Sequence, residues 1–157
     1  MENIKTIEGD LHPREARFTI VASRFNDFVV NALIKGALSC LDRHGVDENA
    51  IEIIRVPGAF ELPLALSKVA ASRRADGIIA LGAVIRGATP HFEFVSSECM
   101  HGIAAAQHDH SVPIGFGVLM VDTLEQAIER AGAKAGNKGE EATLAVIEMI
   151  NLLRKID

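Results

Sequence analysis

Short apolar runs alternate along the chain with longer segments whose apolar residues return every three or four positions. Arg17 to Ala22 (RFTIVA), Ile51 to Val56 (IEIIRV), Gly77 to Ile85 (GIIALGAVI) and Pro113 to Val121 (PIGFGVLMV) are rich in β-branched residues, which predicts four strands. Val29, Leu33, Gly36, Ala37, Cys40 and Leu41 trace one helical stripe. Further helices are predicted from about Phe60 to Ser72, Pro90 to about Gln107, Thr123 to Ala131 and Lys138 to Leu153. Strands alternating with helices make βαβ units, so the expected class is α/β, a parallel sheet with helices on both faces.

Boundary residues sharpen this picture. Thr89-Pro90 is expected to be an N-cap followed by proline at the first helical position, and Thr123 with Gln126 fits a capping box. Gly132, Gly136 and Gly139 predict a bend between the last two helices. No repeat, low-complexity tract or linker divides the 157 residues, which predicts one domain over 1–157 with an N-terminal extension over 1–16.

Composition narrows the partners. Hydrophobic residues make up 48% and the formal net charge is -5, with a mean hydropathy of +0.21 and a pI near 5.7. The apolar excess predicts surface buried between subunits, and the acidic balance argues against nucleic acid and anionic membranes. Met1-Glu2-Asn3-Ile4-Lys5 has neither the basic start nor the apolar segment of a secretory signal, so none is expected, and no apolar run reaches the roughly 20 residues of a membrane helix. Cys40 and Cys99 fall in helical patterns without metal-ligand spacing, so reduced core thiols in the cytoplasm are expected.

In open parallel sheets ligands bind beyond the carboxyl ends of the strands, where strand order reverses. The segments there are SRFNDF, PGAFE, RGATPH, and the region of Phe116 leading into DTLEQ. His91, expected as the second residue of a helix, sits where the dipole disfavours imidazolium, so its ring can accept a proton near pH 7; a bystander at a helix start fits position alone as well. Gly87-Ala88-Thr89 leaves helix N–H groups free for an oxyanion, or forms an ordinary cap. Arg86 either touches that anion or makes a surface ion pair. Phe25 either stacks on a planar heterocycle or packs into the core. Glu61 either binds ligand hydroxyls or benefits from its helix start. Arg130 and Lys138 need no function beyond helix ends and the glycine-rich bend. Asp76, Glu140 and Glu141 are expected to be solvated. His12, His44, His101, His108 and His110 are expected to be solvated too, His108 and His110 otherwise making a metal pair. GAKAGNKG and GFG fail as phosphate and dinucleotide loops in spacing and context, so neither NTP hydrolysis nor NAD chemistry is supported.

Taken together, FN, VPGAFELP, GAVIRGATPHF, FGV, DTLEQAIERAG and AGNKG resemble the lumazine synthases, from about Phe18 to Leu153. The resemblance implies a flavodoxin-like three-layer α/β/α sandwich with a four-stranded parallel sheet. It implies a transferase of riboflavin biosynthesis that condenses 5-amino-6-(D-ribitylamino)uracil with 3,4-dihydroxy-2-butanone 4-phosphate, without cofactor or metal. The implied roles are stacking by Phe25, ribityl binding by Ala59, Phe60 and Glu61, and pyrimidine contacts from Ala83, Val84 and Ile85. Ala88 and Thr89 would hold the phosphate, and His91 would shuttle protons. Phe116 and Arg130 would come from the adjacent subunit, Arg130 facing the phosphate, and Lys138 belongs to the same site. Also implied are a homopentamer with active sites between subunits, a sixty-subunit shell because AGAKAGNKG carries no insertion, and riboflavin synthase as a candidate partner. Ala88, where the family often has glycine, and Ala83, where Thr or Val is common, are small departures at main-chain contacts. A non-catalytic flavin carrier and a structural compartment protein are the rival readings.

Overall fold

The computed structural model describes residues 1–157. Four strands, β1 (Phe18–Ser23), β2 (Ile51–Val56), β3 (Gly77–Ile85) and β4 (Ile114–Val121), pair in parallel in the order β2-β1-β3-β4. Helices α1 (Asp27–Arg43), α2 (Leu62–Ser72), α3 (His91–His110), α4 (Leu124–Arg130) and α5 (Lys138–Ile156) link and flank them. Alternate residues of the strands feed two cores. Phe18, Ile20, Ile79 and Leu81 pack under Leu33 and Leu41 of α1 and Val146 and Ile147 of α5. Val21, Ile78 and Ala80 pack under Leu62 and Leu66 of α2 and Cys99 and Ile103 of α3. Both faces of the sheet are thus covered, giving the expected α/β/α layering. Cys40 and Cys99 are buried free thiols, and burial pushes the Cys99 thiol up to about 11.

Several sequence expectations need correction. Helix α3 starts at His91, with Pro90 in the capping position (φ -68°, ψ 0°) and no side-chain cap. Proline's fixed φ suits either place, but its ψ lies outside the helical well, so the Thr89 side chain is not used as an N-cap. The bend at Gly132 and Gly136 is a small antiparallel hairpin, β5 (Ala131–Ala133) with β6 (Gly136–Asn137), turned at Lys134 and Ala135, with Gly136 entering β6 at φ 77°. Gly139 does not interrupt anything. It lies within α5, where a Cβ would stand 2.1 Å from Leu33 O, so glycine lets α5 approach α1 closely. The capping box of α4 forms as expected, with Gln126 N donating to Thr123 Oγ1.

Of the acidic residues expected to be solvated, Glu141 is exposed, while Asp76 and Glu140 are half-buried and paired. Asp76 accepts from Arg17 N at 2.7 Å and from the Arg17 guanidinium. Partial burial alone would raise the Asp76 carboxyl, but the Arg17 bonds and charge outweigh it and hold it below the usual range. Glu140 bonds Arg43 at 2.6 Å, and Glu141 bonds Lys138 at 2.7 Å. Of the histidines, His44 is half-buried, its Nδ1 2.7 Å from Cys40 O, and His110 is half-buried against Ser67. No cluster of three or more potential metal ligands joins His108 and His110. No helix is long and apolar enough to cross a membrane.

Candidate functional site

Strand order turns back between β1 and β3, because the chain leaves β1 for one edge at β2 and returns on the other side through α2. The carboxyl ends of β1, β2 and β3 part there and leave an open cavity of about 670 Å³. Three tips and one helix start build it. After β1 come Phe25 and Asn26, after β2 Pro57 to Glu61, at the end of β3 Ala83 to Ile85, and beyond them Gly87, Thr89 and His91, with Phe92, Phe94 and Val95 on the first turns of α3.

Each tip is held by the backbone. Arg24 N donates to Val56 O at 2.8 Å and Phe25 N to Pro57 O at 3.0 Å, which sews the β1 tip to the β2 tip. The Phe25 ring itself is 73% exposed, so core packing, the alternative left open by the sequence, does not account for it. Phe60 and Phe94 are exposed to a similar degree along the same wall. Glu61 is exposed and makes no side-chain cap. A Cβ on Gly87 would meet nothing within 4 Å, so crowding inside the chain does not call for glycine there. Gly87 lines the cavity together with Thr89 and His91.

Arg86 does not serve this space. Its Nε donates to Asp122 at 2.8 Å, its Nη1 to Glu93 at 2.9 Å, and the guanidinium lies 4.4 Å from the centre of the Phe92 ring. Those bonds, Asp122 first and Glu93 second, raise its pKa further. No lysine or arginine lines the cavity. It offers rings, amides, one carboxylate and one imidazole, and no cation.

Two cationic side chains instead line a second cavity of about 540 Å³ along edge strand β4. Phe116, Val118 to Val121, Arg130, Lys138 and Glu141 are among its lining residues, and no residue lines both cavities. Arg130, in the last turn of α4, donates from Nη1 to Gln126 O at 3.1 Å. Lys138 opens α5 and is neutralised by Glu141 at 2.7 Å.

The thirteen residues expected from the sequence therefore divide. Phe25, Ala59, Phe60, Glu61, Ala83, Val84, Ile85, Thr89 and His91 meet in the first cavity; Ala88 is exposed on the same loop without lining it. Phe116, Arg130 and Lys138 stand apart in the second. Sequence reasoning passed over Asn26 and Phe94. Phe94 had a signal, since the buried stripe of α3 runs Ser96, Cys99, Ile103 and Ala106 and leaves Phe94 off it. Asn26 had none beyond its neighbour Phe25.

Comparison with known proteins gives one answer. The family model described as 6,7-dimethyl-8-ribityllumazine synthase matches residues 15–154. A protein of that name from Nitratidesulfovibrio vulgaris (strain DP4) is 57% identical over 156 residues, 99% of this chain and 100% of the relative. Another, from Desulfovibrio desulfuricans, is 53% identical over the same coverage. The layered fold, the cavity at the reversal of strand order and a match running almost from end to end agree, and the chain belongs to the 6,7-dimethyl-8-ribityllumazine synthase family.

Proposed function

We propose that the chain performs its family's condensation in a site made of the first cavity of one copy and the second cavity of another. As a member of that family it is a transferase that joins 5-amino-6-(D-ribitylamino)uracil to 3,4-dihydroxy-2-butanone 4-phosphate, giving 6,7-dimethyl-8-ribityllumazine, phosphate and water. The observation that carries the two-copy reading is the division of labour. The rings and helix start line one cavity without a cation, while Arg130 and Lys138 line another. A phosphate brought to Gly87 and Thr89 then needs its counter-charge from outside the subunit.

In this reading the uracil stacks on Phe25, its edge meets the main chain of Ala83, Val84 and Ile85, and its ribityl chain runs along Ala59, Phe60 and Glu61. Phosphate sits on the Ala88 and Thr89 amides, faced by Arg130 with Lys138 nearby, and Phe116 closes the wall from the neighbour. The amine adds to the ketone, water leaves to form an imine, phosphate is eliminated, and a second condensation closes the ring. Each stage moves a proton, and His91 stands beside the phosphate loop to carry it. Arg130 and the helix start stabilise the departing phosphate. Holding two reactive molecules face to face supplies much of the rest. The same reading makes the assembly a pentamer and, with residues 131–139 free of insertion, a sixty-subunit shell in the cytoplasm, with riboflavin synthase as a candidate guest.

The test is to mix the protein with both substrates and follow the fluorescence of the lumazine. Product formation at a rate proportional to protein is expected. No product, with a flavin-loaded preparation, would favour a carrier instead.

A further inference from the structure

We infer that Asn26 is a positioning residue for the pyrimidine half of this site, an inference that rests on the reading of the first cavity just given. Asn26 holds the left-handed conformation, φ 63° and ψ 46°, in the capping position of α1. Only glycine, asparagine and aspartate adopt it at low cost. An asparagine at that position ordinarily uses its side chain to cap the helix. Here it makes no cap bond. Its Nδ2 instead crosses the gap between the strand ends and donates to Ala83 O at 2.8 Å.

The place of that bond explains what it does. The β1–β3 ladder ends at Ala22 paired with Leu81, so beyond it the two strands separate. The Asn26 amide supplies one more link across the separation, made by a side chain where the backbone can no longer reach. It ties the tip carrying Phe25 to the rim formed by Ala83, Val84 and Ile85, the two surfaces between which the pyrimidine lies in the proposed reading. The Phe25 ring, largely exposed, has little packing of its own to hold it, so its distance from that rim is set by backbone bonds: Phe25 N to Pro57 O on one side, Asn26 to Ala83 on the other. The Asn26 side chain bonds the pyrimidine rim at Ala83 and makes no hydrogen bond to the phosphate loop or the second cavity, so its loss acts first on one substrate.

Asn26→Gly keeps the left-handed backbone and removes the amide alone. It is expected to raise KM for the pyrimidine about three- to tenfold, the range of one neutral hydrogen bond, while KM for the phosphate substrate stays put. Asn26→Asp keeps the backbone tolerance but turns a carboxylate toward the Ala83 carbonyl, so its pyrimidine KM should rise further. A role confined to stability lowers the unfolding midpoint and leaves the ratio of the two KM values where it is, which would overturn the inference. Phe25→Ala, measured alongside, separates the failures. If Phe25→Ala raises pyrimidine KM and Asn26→Gly does not, Asn26 has no positioning role. If Phe25→Ala leaves that KM unchanged, the reading of the cavity falls and the inference with it.

Discussion

Replacing Phe25 with alanine separates a binding role from a structural one, because the ring is 73% exposed and contributes little to the core. One ring face covers about 50 Å², a quarter of the ~200 Å² an aromatic side chain can bury. At ~25 cal/mol per Å² its contact with the pyrimidine contributes about 1.2 kcal/mol. The geometry of stacking adds about 1 kcal/mol. The loss of about 2 kcal/mol corresponds to a rise in pyrimidine KM of roughly thirtyfold. The main-chain bond from residue 25 to Pro57 O survives the substitution, so unfolding free energy should stay within about 0.5 kcal/mol. Initial rates against the pyrimidine at saturating phosphate substrate, with thermal unfolding by circular dichroism, give both numbers. A pyrimidine KM within about twofold of the parent, well under the smallest stacking loss, would refute the stacking argument. So would a large drop in unfolding temperature.

Three further outcomes follow from the geometry. Arg130→Ala should lower kcat/KM for the phosphate substrate by about 10- to 100-fold, the range for one charge-assisted hydrogen bond, with a smaller change in pyrimidine KM; equal effects on both would deny Arg130 the phosphate. His91→Ala should slow turnover while product binding, read by fluorescence quenching, stays intact; complete loss of activity would mean more than proton transfer was removed. Asp76→Asn should lower the unfolding temperature at pH 7 by up to about 4 °C. The Asp76 carboxyl is lowered in the folded state, so its stabilisation is present above the ordinary carboxylate range and lost as pH falls through the folded value. The gap between variant and parent should accordingly close in strong acid, and a gap constant with pH would contradict the ion pair.

Strands and helices were legible because their signal is local. Six-residue β-branched runs and the Val29–Leu41 stripe carry their own periodicity, and the Thr123–Gln126 capping box lies within four residues. Misreadings came from long-range causes. Asp76 meets Arg17 across 59 positions and Glu140 meets Arg43 across 97, distances at which no pattern announces a partner. Gly139 looked like a helix breaker because a glycine demanded by the approach of another helix is indistinguishable in sequence from one demanded by a turn. Most of the candidate site could be listed from strand ends and from a family resemblance. Its division came only with the resemblance, which implied Phe116 and Arg130 from an adjacent subunit; strand ends and spacing do not show on which side of β4 and α5 each residue emerges.

Complementation between crippled copies tests the shared cavity most directly. One variant carries Phe25→Ala with His91→Ala, the other Arg130→Ala with Lys138→Ala, and the two are co-expressed in equal amounts and purified as mixed assemblies. If each site takes its first cavity from one copy and its second from the next, random mixing leaves about a quarter of the sites fully intact, whatever the ring size. Mixed assemblies should then recover about a quarter of parental turnover, far above either variant alone. Activity no higher than the average of the two variants would contradict a site built by two copies.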